Sequence, residues 1–537
     1  MRRPTTVALA TALLVFHTAC EPTTEPEPAT SLTLAPATPL LVPGQVLRLG
    51  VTALSSGGTD LSGRQAQWSS NNAASATVDS VGTVTAIAAG SATITAAIDS
   101  VTATVTVTVA SPTQWLAIET GFSHTCALTT AGATWCWGSN GFGQTGDGST
   151  SATRASPVEV QGEPTFVSLR LGIHHSCGLT AAGGLACWGR NDFGQLADST
   201  TTHRSQAVSS GGSRSFSMIS RGSNSNHSCA RRGATTLECW GYNGFGQLAL
   251  GDTTRRAVPT AVTTAFEFTQ LSAGFRHSCG VTTAGAAYCW GSNAFGQLGD
   301  GTDTSRAAPT LVSGAQTFAE VHAGFQHTCA RTTAGAVYCW GANDRGQLGT
   351  GNTTPSLVPV QVTGGLTFTR LHASSSHGCG ITAGNAAHCW GENNEGQLGD
   401  GSNIDRPAPV AVSGGHAFAR ISGGLRHLCG LTTTGTALCW GGNAEGQLGD
   451  GSFDRALVPQ LIAYRGYVEP IYEEVWSGTA GPATVTLRLR VIGTSVQGRG
   501  TSNDPSDPPS SQLSVTGTMN ATGAVSLSLQ PLPQLYN

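Results

Sequence analysis

The sequence predicts an all-β chain: a seven-bladed β-propeller, preceded by a β-sandwich and followed by a small β-domain. Three observations predict it. A cysteine-containing unit recurs with first cysteines at Cys126, Cys177, Cys229, Cys279, Cys329, Cys379 and Cys429, 50–52 residues apart. A period near 50 marks propeller blades or a comparable array. Each unit holds four short apolar-rich runs, as at 318–322, 327–331, 337–340 and 357–362, and four strands make one blade. Gly is abundant at 71 copies and charged residues are only 11%, which favours strands and tight turns over long helices.

A chain of 537 residues exceeds one ordinary core, so several domains are expected. Arg2 and Arg3 precede an apolar run at 7–16, too short for a permanent membrane helix and read as an export signal at 1–20. The run ends at Thr18-Ala19-Cys20. Small residues before a cysteine resemble the cleavage site of bacterial lipoproteins, which implies lipidation of Cys20 and an anchor at the cell envelope. An ordinary signal peptide with an incidental cysteine, giving a secreted protein, is the alternative. Residues 21–30, EPTTEPEPAT, read as a solvated tether.

Residues 31–110 alternate apolar and polar positions, most cleanly in TATVTVTV at 102–109. Trp68, Val78, Val84, Ile87 and Ile94 are the expected core. The runs WSSN at 68, ATVD at 76, GTVTA at 82 and AGSATITA at 89 resemble the bacterial immunoglobulin-like domains of surface adhesins. That resemblance implies a sandwich spacer and no site.

Residues 111–465 hold the repeats. Of 15 cysteines, Cys20 stands apart and fourteen form seven pairs spaced by ten. Cys126 pairs with Cys136, Cys177 with Cys187, Cys229 with Cys239, Cys279 with Cys289, Cys329 with Cys339, Cys379 with Cys389, and Cys429 with Cys439. If Cys126 faces Cys136, the hairpin loop is Thr130-Ala131-Gly132, and such a loop wants a left-handed last residue. Gly132, Gly183, Gly285, Gly335 and Gly435 fill that place, Asn385 fills it in the sixth unit, and Thr235 departs in the third. The cysteines then meet at a non-hydrogen-bonded pair, about 4.5 Å apart and within disulfide reach. Zinc is the rival, but ten-residue spacing is poor for zinc knuckles, so disulfides are expected and no metal or cofactor.

The run GFQHTCARTTAGAVYCWGANDRGQLG at 324–349 is similar to the regulator-of-chromosome-condensation repeat family. The resemblance implies a seven-bladed propeller and does not fix a function, since the family spans exchange factors, a plant ultraviolet receptor and a secreted bacterial inhibitor. Light sensing is not expected, because the places of the receptor's extra tryptophans, two before each repeat histidine, hold Phe122, Ile173, Ser225, Phe275, Phe325, Ser375 and Leu425. Closure by strand exchange is expected, with 457–462 completing the blade of Trp115 and Cys126. Residues 466–537 alternate as strands at 485–491 and 513–529, a small antiparallel domain.

Catalytic signatures are missing. Gly141-x-Gly143-x-x-Gly146 lies inside the repeat rather than between a strand and a long helix, so it is discounted. The repeat histidines His124, His175, His227, His277, His327, His377 and His427 are read as ties from a turn to neighbouring backbone rather than as a metal or proton switch. Trp137, Trp188, Trp240, Trp290, Trp340, Trp390 and Trp440 are read as blade packing. Asp300, Asp400 and Asp450 lack alternating oxygen ligands and are read as turns rather than calcium sites.

Positions that differ between repeats are the candidates for function. The residues before each histidine, Ser123, His174, Asn226, Arg276, Gln326, Ser376 and Arg426, form the candidate binding rim. A second set, Phe142, Phe193, Phe245 and Phe295, followed by Arg345, Glu395 and Glu445, is either a binding surface or inter-blade packing. The net charge of −4 and the absence of lysine exclude nucleic-acid binding and lysine chemistry. The expectation is a monomeric, non-enzymatic scaffold binding a protein or polysaccharide at the cell surface. A secreted inhibitor of an extracellular or cell-wall enzyme is the alternative, and a glycan-active enzyme the third reading.

Overall fold

The computed structural model describes residues 27–462, except 38, 42, 44–45, 62, 110–114, 152, 163–164 and 234–235, and the backbone of five strands between 475 and 531. The export signal, Cys20, most of the tether and Thr235 lie outside the described residues. The chain divides into two compact units, Met1–Ser111 and Pro112–Asn537.

The first unit is a β-sandwich. One sheet orders Leu40–Leu41, Val101–Val109, Gly90–Ile98 and Gln67–Ser70, and another orders Val46–Arg48, Thr83–Ala86 and Ala76–Val78. Ala29–Ala35 pairs separately with Gly50–Ser55. Alternation works as read: Val105, Val107 and Val109 are buried while Thr104, Thr106 and Thr108 face out. Val84 and Ile94 are fully buried, and Trp68 and Val78 half-buried. Ile87 is a correction, being 49% exposed. It falls just past Thr83–Ala86, where its N–H bonds the Ser75 carbonyl at 2.8 Å and the chain leaves the sheet.

The second unit carries seven four-stranded antiparallel sheets. Blade 1 consists of Trp115–Thr120, His124–Thr129, Thr134–Ser139 and Thr153–Glu159. Blades 2 to 7 occupy 166–210, 216–262, 268–311, 318–361, 368–411 and 418–461. The first strand of each blade lines the axis, because first strands bond one another across blades. Thr120 N–H reaches Ser422 Oγ at 3.0 Å, Ala323 N–H reaches Ser272 Oγ at 2.9 Å, and Gly423 N–H reaches His372 Nε2 at 2.9 Å.

Inside each blade a disulfide joins the second and third strands, in the pairing expected from the spacing. Cys126 is bonded to Cys136, Cys177 to Cys187, Cys229 to Cys239 and Cys279 to Cys289. Cys329 is bonded to Cys339, Cys379 to Cys389 and Cys429 to Cys439. The two members of each pair lie directly opposite one another in the ladder. Their Cα atoms are 4.0–4.1 Å apart, closer than the expected 4.5 Å. The hairpin loops obey the left-handed requirement, with φ of 87° at Gly132 and 63° at Asn385. In blade 3 the first loop residue, Gly233, is left-handed with φ 63°.

Between blades the same joint recurs seven times. Each Trp indole donates to the backbone carbonyl of the preceding blade's Gln: Trp137 to Gln447, Trp188 to Gln144, and onward to Trp440 and Gln397, at 2.9–3.1 Å. All seven indoles are fully buried.

That joint also closes the ring and corrects the expected strand exchange. Ala456–Leu461 pairs with Ala437–Gly441 and completes blade 7, while Thr153–Glu159 completes blade 1. Every repeat therefore supplies its own outer strand, so the two ends sit in different, adjacent blades. The seam is held by backbone bonds from Trp115 N–H to the Gly435 carbonyl at 3.0 Å and from Leu425 N–H to the Phe122 carbonyl at 2.9 Å, and by side chains. Trp115, Ile118 and Trp137 of blade 1 pack with Leu431, Ala437 and Leu448 of blade 7, and Thr125 Oγ1 donates to the Gln447 carbonyl at 2.9 Å.

A five-stranded antiparallel sheet, Val475–Ala480, Ala483–Ile492, Ser495–Asn503, Ser511–Met519 and Val525–Pro531, follows in sequence. The expected run at 513–529 divides into two of these strands.

Peptide mapping without reduction is expected to find seven links, each joining cysteines ten residues apart. Opening one should cost roughly 2–3 kcal/mol at most, as its loop is short. A free thiol among the fourteen contradicts the register.

Candidate functional site

One face of the propeller is built from two turns per blade. The turn before each repeat histidine and the loop after the third strand meet through the backbone. Ser139 N–H donates to the Ser123 carbonyl at 2.9 Å, and the equivalent bond recurs onto His174, Asn226, Arg276, Gln326, Ser376 and Arg426 at 2.7–2.9 Å. The backbone of every candidate rim residue is thus fixed while its side chain is left open. Arg276 and Arg426 are exposed and the other five half-buried.

The loop after the third strand is stiffened by its own amides. Gln144 Oε1 accepts the Phe142 N–H at 2.9 Å and Asn140 Oδ1 accepts the Thr145 N–H at 3.0 Å, a pattern kept through Gln447 and Asn443. Gly143, at φ 80°, brings the loop against the next blade, where an added Cβ would lie 2.6 Å from the Ser205 Cα.

The two candidate sets meet on this face. Arg190 lies over Phe142 at 5.0 Å and over Phe193 at 5.6 Å. Arg276 lies over Phe245 at 4.6 Å and over Phe275 at 4.8 Å. Phe193 packs on Tyr242 at 4.9 Å, His174 on Phe142 at 5.1 Å, and Phe275 stacks on Phe325 at 4.0 Å. Two guanidinium groups, of Arg190 and Arg276, are thus set among aromatic rings from blade 1 to blade 5. Phe142, Phe193 and Phe245 stay partly exposed and Phe295 is 45% exposed, so these rings reach the surface, while Phe142, Phe193 and Phe245 also pack on side chains of the next blade. Blades 5 to 7 continue with charge: Arg345 faces Asp405 at 3.5 Å, Arg426 faces Glu395 at 3.7 Å, and burial raises the pKa of Glu445.

The repeat histidines lie beneath this face, buried at 0–2% exposure. Four of the seven bond a side chain of the next blade rather than backbone, which corrects the expectation for those four. His124 Nε2 meets Ser176 Oγ at 2.9 Å, His227 meets Ser278 at 2.7 Å, His277 meets Thr328 at 2.9 Å and His427 meets Thr125 at 3.0 Å. Those hydroxyls donate onward to Gln carbonyls. The hydroxyl proton is thereby committed, so Nε2 must carry the imidazole proton and Nδ1 is bare. Gly378 and Leu428 replace the hydroxyl in blades 6 and 7, and Nε2 of His327 and His377 meets no hydroxyl there.

The aspartates tie their own loops. Asp300 accepts from Asn293 at 3.1 Å, Thr302 at 2.7 Å and Arg306 at 3.2 Å, and Asp400 does the same with Asn393, Ser402 and Arg406. Asp450 takes Asn443 and Ser452. Among the described residues no group of three or more His, Cys, Asp or Glu could hold a metal ion.

Sequence reasoning missed the axial channel. Its wall includes Glu119, Arg221, Glu320, Arg370, His372 and Arg420. Most sit five or seven residues before a repeat histidine, where alternation on the first strand puts polar groups on the axis. That alternation was readable in the sequence.

Comparison with known proteins agrees with this geometry. The regulator of chromosome condensation (RCC1) repeat matches 239–281, 284–331, 334–381 and 386–431, and a second RCC1 repeat description matches five stretches beginning at 115–144. A bacterial Ig-like domain (group 2) matches 28–109. The chain is an RCC1-repeat propeller protein with a bacterial Ig-like domain. Human probable E3 ubiquitin-protein ligase HERC4 is 31% identical over 157 residues, covering 28% of this chain and 15% of HERC4. Arabidopsis thaliana ultraviolet-B receptor UVR8 is 31% identical over 158 residues, covering 28% of this chain and 35% of the receptor. Both matches span a minor part of the relative. Human WBSCR16 superposes with a TM-score of 0.56 at 18% identity, over 62% of this chain and 94% of that one. Saccharomyces cerevisiae Prp20p, described with its binding to Gsp1p and histones, gives 0.56 at 18% over 66% and 88%. These likenesses establish the RCC1 propeller fold.

The RCC1 joints carry a pH dependence. Burial holds the pKa of His175, His227, His277, His377 and His427 at about 3 and of His327 at about 4. In the unfolded chain these groups protonate near pH 6.5. Below that pH the unfolded state binds more protons, so stability is intact above it and is lost as pH falls toward 3. The melting temperature is expected to drop already between about pH 6 and 5, above the carboxylate range. A flat profile there would show that the histidines are not buried and neutral.

Proposed function

We propose that the protein is an exported binding scaffold whose aromatic–cationic arc takes a protein partner. The interleaving of Arg190 and Arg276 between phenylalanine rings carries this reading. Arginine and aromatic groups are the side chains that dominate protein interfaces, and pre-ordered ones lose little entropy on binding. The loops beneath them are locked by the repeated Gln and Asn bonds. The charged stretch on blades 5 to 7 gives a partner one orientation. The likeness to Prp20p, the yeast RCC1 described with its binding to Gsp1p and histones and bound to Kap60, supports a protein rather than a polysaccharide as the ligand. Export and attachment at the cell envelope rest on Arg2, Arg3, the apolar run and Cys20.

A second reading keeps the same face and makes the partner an extracellular or cell-wall enzyme that is inhibited. The aromatic arc favours it equally, because a rim rich in rings can plug a substrate cleft.

The test is capture from envelope extracts by the full chain, followed by affinity measurement on the captured protein. Arg276→Ala should weaken binding roughly 30-fold, the scale of a central interface residue, and leave folding unchanged. Suppressed turnover of a captured enzyme selects the second reading. Retention of glycans alone, with Arg276→Ala binding like the parent, overturns the protein-partner reading.

A further inference from the structure

The axial channel carries a separate inference. It is a solvent-open cavity with room of about 90 Å³, lined by Glu119, Arg221, Glu320, Arg370, His372 and Arg420, among other residues. Both carboxylates are already engaged. Glu119 Oε1 accepts from Arg170 at 3.0 Å, and Ser422 Oγ donates to its other oxygen at 3.4 Å. Glu320 accepts from Arg331 Nε at 2.6 Å and faces His322 Nε2 at 3.4 Å.

That leaves the arginines of the wall uncompensated. Arg221, Arg370 and Arg420 have no carboxylate within ion-pair distance among the described residues. They come from blades 3, 6 and 7, which the ring closure brings around one axis. Arg170, on the next strand, has a buried Nε with no hydrogen-bond partner. Its pKa is lowered first by burial and then by the charges of Arg221 and Arg420, while Glu119 offsets part of this. Arg221 and Arg420 therefore both lie close enough to act on Arg170. His322 and His372, with rings 5.6 Å apart, stand beside them. Burial lowers both imidazoles, so neither adds a fixed charge at neutral pH.

Three arginines on the wall of one solvent-open cavity, none of them paired with a carboxylate, suit an oxyanion. We infer that the axial channel binds a small multivalent oxyanion, a phosphate or a polycarboxylate, between Arg221, Arg370 and Arg420. Several separated cations select multivalent anions over chloride, since each additional oxygen charge finds its own guanidinium. The site is apart from the aromatic arc and does not depend on it.

The experiment is calorimetric titration of the full chain with inorganic phosphate, citrate and chloride at matched ionic strength. The doubly substituted Arg370→Gln/Arg420→Gln protein is titrated alongside. One-to-one binding of phosphate assigns the channel to a phosphoryl group, and of citrate to a polycarboxylate. In either case the double variant should bind at least 10-fold more weakly. Without anion, the variant should melt at the same temperature or higher, because mutual repulsion is removed; this separates loss of the site from loss of the fold. Equal heats from chloride, no saturable heat from phosphate or citrate, or undiminished binding by the variant overturns the inference.

Discussion

Everything in the propeller depends on one backbone carbonyl per blade. The carbonyl of each repeat Gln receives the indole N–H of the next blade's Trp, and in four joints also a hydroxyl held by a buried His. A buried carbonyl left unpaired is costly, and here two donors satisfy it from across an interface. Blades are thereby joined by directional bonds as well as by apolar packing. This explains why the seam between blade 7 and blade 1 needs no exchanged strand: Trp137, Thr125 and His427 make the same joint there as elsewhere.

The division between frame and function follows. The frame takes the same residues at the same places: His, the cysteine pair, Trp, Asn and Gln, with a left-handed residue closing each hairpin. Their hydrogen-bonding groups point inward or along the backbone. What remains variable is the side chain before each His and the third residue of each Asn-to-Gln loop, together with positions the repeat pattern did not single out, Arg190 after Trp188-Gly189 and Phe275 and Phe325 two before their histidines. Those are the places where the repeats diverge, and several come together on one face as rings and guanidinium groups. The first strands provide a second set of free positions, which point down the axis.

Much of this was legible in the sequence. The spacing of ten between cysteines, combined with Gly132 and its equivalents, set the hairpin register without coordinates. Alternation in 102–109 predicted the buried valines. Three things were not legible for identifiable reasons. Ring closure depends on which strand pairs with the last one, and the local sequence of 457–462 is equally suited to either neighbour. The hydroxyl that His124, His227 or His277 meets lies 51–52 residues away in sequence, so inspection of one repeat suggested backbone where a hydroxyl waits. Ile87 has a strand-like neighbourhood, and only the end of Thr83–Ala86 determines that it faces water.

The closed ring can be tested at its seam. Thr125 and Thr328 make the same pair of bonds, one across the join between the last and first blades and one inside the ring. Measuring the unfolding free energy of Thr125→Val and Thr328→Val by denaturant titration compares the two directly. A continuous circle predicts equal losses of about 1–2 kcal/mol. A cost at Thr328 with none at Thr125 would mean the circle is open.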